Sequence, residues 1–135
     1  MKNICFRGKR KGERKNMTVK SYKDLVVWQK SMNLVKEIYS LTTKYPKDEL
    51  YGLKSQMEPA VVSVPSQIAD GYWRSHKKEY IQFLSIALGS AAELETQILV
   101  CKSLQKFAHL DFSEAESLLS EVMKMLYVMI ERMNS

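Results

Sequence analysis

Glycine and proline are scarce, at 5 and 3 of 135 residues. Disordered segments and turn-rich β-sandwiches carry more of both, so their scarcity argues against either class and favours helix. The only cysteines are Cys5 and Cys101. Two are too few for a disulfide framework, and they form no Cys-x-x-Cys pair. Cys101 falls in an apolar helical stretch and reads as a buried thiol; Cys5 stands near Arg7, Lys9 and Arg10 and receives no role. The histidines, His76 and His109, cannot supply the paired Glu-x-x-His motifs of a di-iron bundle. His76 and Glu79 run in the reverse order at a helix start, where Glu79 is a favourable charge near the positive dipole end.

Catalytic signatures are also missing. There is no Gly-x-Ser-x-Gly elbow, no phosphate-binding loop and no dinucleotide fingerprint. Glu93 and Glu95 cannot act as an acid–base pair on one helix face, because two residues turn by about 200°. The expectation is a protein with no catalytic residue, no metal and no cofactor. No uncharged apolar run nears the ~20 residues of a membrane span, and the basic N-terminus lacks the apolar centre of a secretory signal. A cytoplasmic protein without membrane contact is expected.

What the chain does have is charge, unevenly placed. Its formal excess is +6, and Lys2, Arg7, Lys9, Arg10, Lys11, Arg14 and Lys15 stand against Glu13 alone in the first 16 residues. From residue 17 onward the two signs balance at 14 each. Residues 1–20 therefore read as a basic, disordered extension to one domain over 21–135. Such a segment binds phosphate backbones by releasing counterions, with little sequence preference. Met17 offers an alternative start, which would leave a neutral domain without that attraction.

Four helical segments follow. Ser21-Tyr22-Lys23-Asp24 reads as a capping box. Leu25, Trp28, Met32, Val35, Tyr39 and Thr42 then recur at steps of three and four, and Val27, Leu34, Ile38, Leu41 and Tyr45 form a second stripe beside them. Together they cover about half the circumference, more than one core requires. Either the helix touches two neighbours within a bundle, or part of the arc packs against another copy of the chain; the second stripe is assigned to that contact between copies.

Tyr45-Pro46-Lys47-Asp48 ends the first helix. The second is expected from about Glu49 to Ala69, kinked or broken by Gly52, Pro59 and Pro65, and closed by a left-handed Gly71. The third runs from Ser75 or His76 to about Phe107, roughly 32 residues or 48 Å, with a seam at Tyr80, Ala87, Leu94 and Cys101. Its middle, residues 87–92, is made mostly of small residues that admit another helix closely. Ser113-Glu114-Ala115-Glu116 reads as a second capping box. The fourth helix carries Leu118, Val122, Met125, Met129 and Met133. Short connections predict an all-α, antiparallel up-down-up-down four-helix bundle.

Two polar features stand out. Ser55, Gln56, Ser63, Ser66 and Gln67 on the second helix, with Ser90, Glu93 and Gln97 on the third, are expected to form a hydrogen-bonded network joining the two. Tyr72-Trp73-Arg74-Ser75-His76-Lys77-Lys78 places rings among cations at a helix junction. There Tyr72 and Trp73 can stack on bases while Arg74, Lys77 and Lys78 meet phosphates, or the rings can anchor the turn and leave the cations solvated.

Residues 24–30 (DLVVWQK), 51–56 (YGLKSQ), 63–71 (SVPSQIADG) and 83–97 (FLSIALGSAAELETQ) resemble blocks of the proteins encoded by intervening sequences of bacterial 23S ribosomal RNA genes. They also resemble the related accessory proteins of diversity-generating retroelements. The resemblance implies a non-catalytic four-helix bundle assembled as a ring, commonly a pentamer. In the retroelement proteins such a ring presents basic surface to RNA and partners a reverse transcriptase. The chain departs from the pattern after Met57, where Glu58 and Pro59 stand in place of the usual basic residues, and has Gln67 for Asn and Asp70 for Glu. The expected function is a homo-oligomeric accessory protein associated with RNA or DNA; the alternative is a protein-only scaffold.

Overall fold

Residues 20–135 are described by the computed structural model, and they hold four α-helices and no strand: α1 (Val26–Thr42), α2 (Leu53–Tyr72), α3 (Lys77–Ser103) and α4 (Ser113–Asn134). Single 3-10 turns at Tyr22–Asp24, Lys47–Glu49 and Gln105–Phe107 lead into α1, α2 and the α3–α4 connection. Each helix packs on its sequence neighbours and α4 returns to α1, while the diagonal pairs stay apart. The most extensive contact joins α2 to α3.

The core overturns one expectation directly. Val27, Leu34, Ile38, Leu41 and Tyr45, assigned above to a contact between copies, are all buried inside their own chain. With Ser31 they form an unbroken three-and-four stripe. Ser31 hides this pattern in the sequence, yet it is itself fully buried, with its hydroxyl donating to the Trp28 carbonyl at 2.8 Å. A serine satisfied by its own helix can sit in a core without an external partner. The stripe that looked primary is the flank: Leu25, Trp28, Met32 and Val35 are half-buried, Tyr39 is exposed and only Thr42 is buried.

The helix ends differ from expectation for local reasons. Ser21 caps the first 3-10 turn by accepting from the Lys23 amide (3.1 Å), and Asp24 accepts from the Lys20 amide, so the box closes a turn before α1 begins. α2 starts after Gly52, where Glu49 Oε1 accepts from the Leu53 amide at 2.9 Å. A Cβ on Gly52 would stand 2.5 Å from that oxygen. α2 then runs unbroken through Pro59 and Pro65, its packing outweighing the lost amide bonds.

Gly71 lies inside α2 and is buried, so it is no left-handed cap. A Cβ there would meet Phe83 Cβ at 2.7 Å and Tyr80 Cδ1 at 3.1 Å; the glycine lets α3 approach. α3 has 27 residues, about 40 Å, and ends before the turn at Gln105–Phe107. α4 begins at Ser113 with Phe112 as its cap residue, and Asp111 Oδ1, one residue further back, accepts from the Ser113 amide at 2.9 Å. That hydrogen bond, with a second from the Ser113 hydroxyl, holds the Asp111 carboxyl below its ordinary range.

By length and composition alone α3 could cross a membrane, although its uncharged run spans only residues 80–92. Such helices are usually covered when they form a protein core. Only a third of its most apolar stretch lies buried here. The chain has no charge between Glu79 and Glu93, and in that stretch Gln82, Ser85, Ile86, Gly89 and Ala92 face outward, with open space around Gly89. The neighbouring outward positions of α2 (Gln56, Pro59, Val62 and Ser66) are uncharged too.

Candidate functional site

One end of the molecule is built around Tyr72. Its half-buried ring meets Tyr22 (centroids 6.5 Å), Trp73 (5.9 Å) and Tyr80 (6.3 Å) edge-on, and Tyr22 in turn meets Trp28 at 5.4 Å. These contacts draw together the turn before α1, the end of α2 and the first turn of α3. Edge-to-face rings contribute about 0.5–1.5 kcal/mol each beyond the area they bury, so the hub fixes three segments at once.

The hub sorts the residues predicted to contact nucleic acid. Tyr72 is committed to it. Arg74 lies with its guanidinium 4.5 Å over the Phe83 ring and pairs with Asp70 at 3.0 Å, four residues back on the helix side. Trp73, by contrast, is 70% exposed. Lys77 and Lys78 are exposed and make no ion pair with a described residue, as is true of Lys20 and Lys23, which flank Tyr22. Sequence reading missed Lys20 and Lys23, because only the Tyr22–Tyr72 contact brings the turn that bears them to the end of α2. Arg7, Lys9, Arg10, Lys11, Arg14 and Lys15 lie outside the described residues; the segment bearing them joins the chain at this end, through Lys20.

At the opposite end two lysines are answered by carboxylates, while Lys44 and Lys47 are exposed and pair with no described acid. Lys106 reaches Asp48 (3.0 Å) and Glu49 (2.8 Å), and Lys102 reaches Glu116 (2.9 Å). The Glu49 carboxyl is held below its ordinary range, first by the Leu53 amide and then by Lys106. Glu58 accepts from the Lys54 ammonium and the Thr42 hydroxyl, both at 2.6 Å, tying α2 to α1. Burial works to raise its pKa, but these two hydrogen bonds outweigh it and hold the carboxyl below its ordinary value. The residue that departs from the family pattern thus has a structural task.

The expected polar network reduces to one bond between helices, Ser63 Oγ to Ser90 Oγ at 2.8 Å. Ser55 and Ser66 return their hydroxyls to Gly52 and Val62 carbonyls of their own helix, Gln56 is exposed and Gln67 half-buried. Gln97 Nε2 donates to Glu93 within α3 at 3.4 Å, and its buried Oε1 finds no partner among the described residues. For Ser55 and Ser66 a carbonyl of the same helix satisfies the hydroxyl without any partner on α3.

A different polar tie, unseen in the sequence, lies in the core: Tyr45 Oη donates to Met57 Sδ (3.2 Å) and stands 3.5 Å from Cys101 Sγ. Burial pushes both the phenol and the thiol above their ordinary pKa values, keeping them neutral. Among the described residues no group of three His, Cys, Asp or Glu side chains is placed to hold a metal ion.

A model of the 23S rRNA-intervening sequence protein family matches residues 23–128. No curated protein matches the chain.

Proposed function

The chain belongs to the 23S rRNA-intervening sequence protein family, and we propose that it acts, without catalysis, as a self-assembling accessory protein that meets nucleic acid at the Tyr72 end. The observation that carries this reading is the gathering of Lys20, Lys23, Lys77 and Lys78, none paired with a described acid, where the +6 segment joins. At the other end Lys102 and Lys106 are answered by carboxylates while Lys44 and Lys47 are not; what distinguishes these four is that they keep their charge for a phosphate where the basic segment joins.

Four helices packed in cyclic order, with contacts Tyr72–Tyr80, Ser63–Ser90 and Met57–Cys101 running in opposite directions along α2 and α3, support an antiparallel up-down-up-down bundle. Self-assembly uses the uncharged outer face of α2 and α3, in place of the buried α1 stripe. A second copy is the occupant that a ring of such bundles calls for, and the small residues around Gly89 admit it closely. The resemblance of the sequence blocks supports a pentameric ring and a reverse-transcriptase partner, and the lack of an uncharged apolar run of ~20 residues supports a cytoplasmic location.

A salt titration of RNA binding tests the reading. The full chain binds at low salt, and its affinity falls steeply as salt rises. Replacing Lys20, Lys23, Lys77 and Lys78 together by Gln flattens the log–log slope by about 0.7 for each single-strand phosphate that is no longer neutralised. Absence of binding by the wild-type chain at low salt supports the protein-only scaffold instead.

A further inference from the structure

The reading of the Tyr72 end as a nucleic-acid interface leaves open which form of nucleic acid it takes, and the exposed indole bears on that choice. Resting on that reading, we infer that the turn between α2 and α3 receives a single strand, with a base stacked on Trp73 and the adjoining phosphates on Lys77 and Lys78. Trp73 ends α2 in helical geometry, its amide donating to the Gly71 carbonyl. Its described ring contact is the perpendicular one to Tyr72, at an interplanar angle of 88°. Among the described residues no ring lies parallel on either face of the indole.

Tyr72 is itself held by Tyr22 and Tyr80. The indole is therefore an apolar plate on a braced support, with the lysine pair following closely in the chain at the start of α3. A platform already in place loses little conformational freedom when it is used. A duplex offers such a plate nothing, since its base faces are stacked on one another and only edges and backbone are exposed. A single strand presents a π-face at every base, and its backbone can bend to bring phosphates to cations beside the ring. An acidic peptide would satisfy the lysines but has no flat partner for the indole.

The test uses the full chain with an oligouridine of about twelve nucleotides, within the span of single-strand sites, an RNA duplex of the same length, and polyglutamate. Trp73→Ala lowers affinity for oligouridine about tenfold, the loss of one stacked base. Trp73→Phe retains most of it, and duplex binding is the same in all three proteins. Lys77→Gln with Lys78→Gln reduces the salt dependence of oligouridine binding. Circular dichroism stays unchanged throughout, because the side chains are exposed. If Trp73→Ala binds oligouridine like wild type, or the duplex loses as much affinity, stacking is overturned while nucleic-acid association stands. If neither RNA binds, both fall; tighter binding of polyglutamate overturns the inference in favour of an acidic protein partner.

Discussion

Leu34→Glu abolishes the helical circular dichroism signal at 25 °C rather than merely changing the mass of the particle. Leu34 is 0% exposed in the stripe running from Val27 to Tyr45. Among the described residues no cation is buried. A carboxylate there must be buried unpaired or take up a proton, and either route costs several kcal/mol on top of the lost leucine packing. Whole-domain stability is about 5–15 kcal/mol, so one such substitution consumes most of it. Ile38→Glu, also at 0%, behaves the same way. A variant that kept its helices and only lost subunits would return α1 to the surface and contradict the burial described above.

Ile86→Glu gives the opposite outcome: light scattering finds several subunits per particle for the wild-type chain and a monomer for the variant, with helix content unchanged. Ile86 is 44% exposed on the uncharged face of α3, so a carboxylate is hydrated in the free chain and its fold is spared. Between two copies it would be desolvated opposite uncharged residues. A few kcal/mol of that kind weakens association by a hundredfold or more. A wild-type monomer, or an Ile86→Glu variant as large as wild type, would remove this face from assembly. The paired result matters more than either half, because Leu34, which hydropathy patterning assigned to assembly, has exchanged that place for the core.

That exchange shows what the sequence carries and where it stops. Helix number and order followed from spacing, and the α3 seam through Tyr80, Ala87, Leu94 and Cys101 is buried as a set. The choice of stripe on α1 failed because Ser31 breaks the apolar pattern while its own helix satisfies its hydroxyl. Gly71 read as a cap because left-handed ends favour glycine, whereas its task is to admit Phe83 and Tyr80 from another helix. Ties such as Thr42–Glu58 and Tyr45–Met57–Cys101 link side chains distant in sequence, and no periodicity reveals them. At the candidate site, the aromatic and basic composition of residues 72–78 was legible. The separation of committed Tyr72 and Arg74 from exposed Trp73, and the arrival of Lys20 and Lys23, required the tertiary contact through Tyr22.

Photo-crosslinking of the full chain to a uridine-rich RNA, with the modified peptides mapped by mass spectrometry, asks where nucleic acid sits. The account predicts crosslinks in the peptides bearing Trp73–Lys78 and Lys20–Lys23, together with the basic segment that precedes them. Crosslinks confined to the opposite end, around Asp48, Lys102 and Lys106, would contradict it.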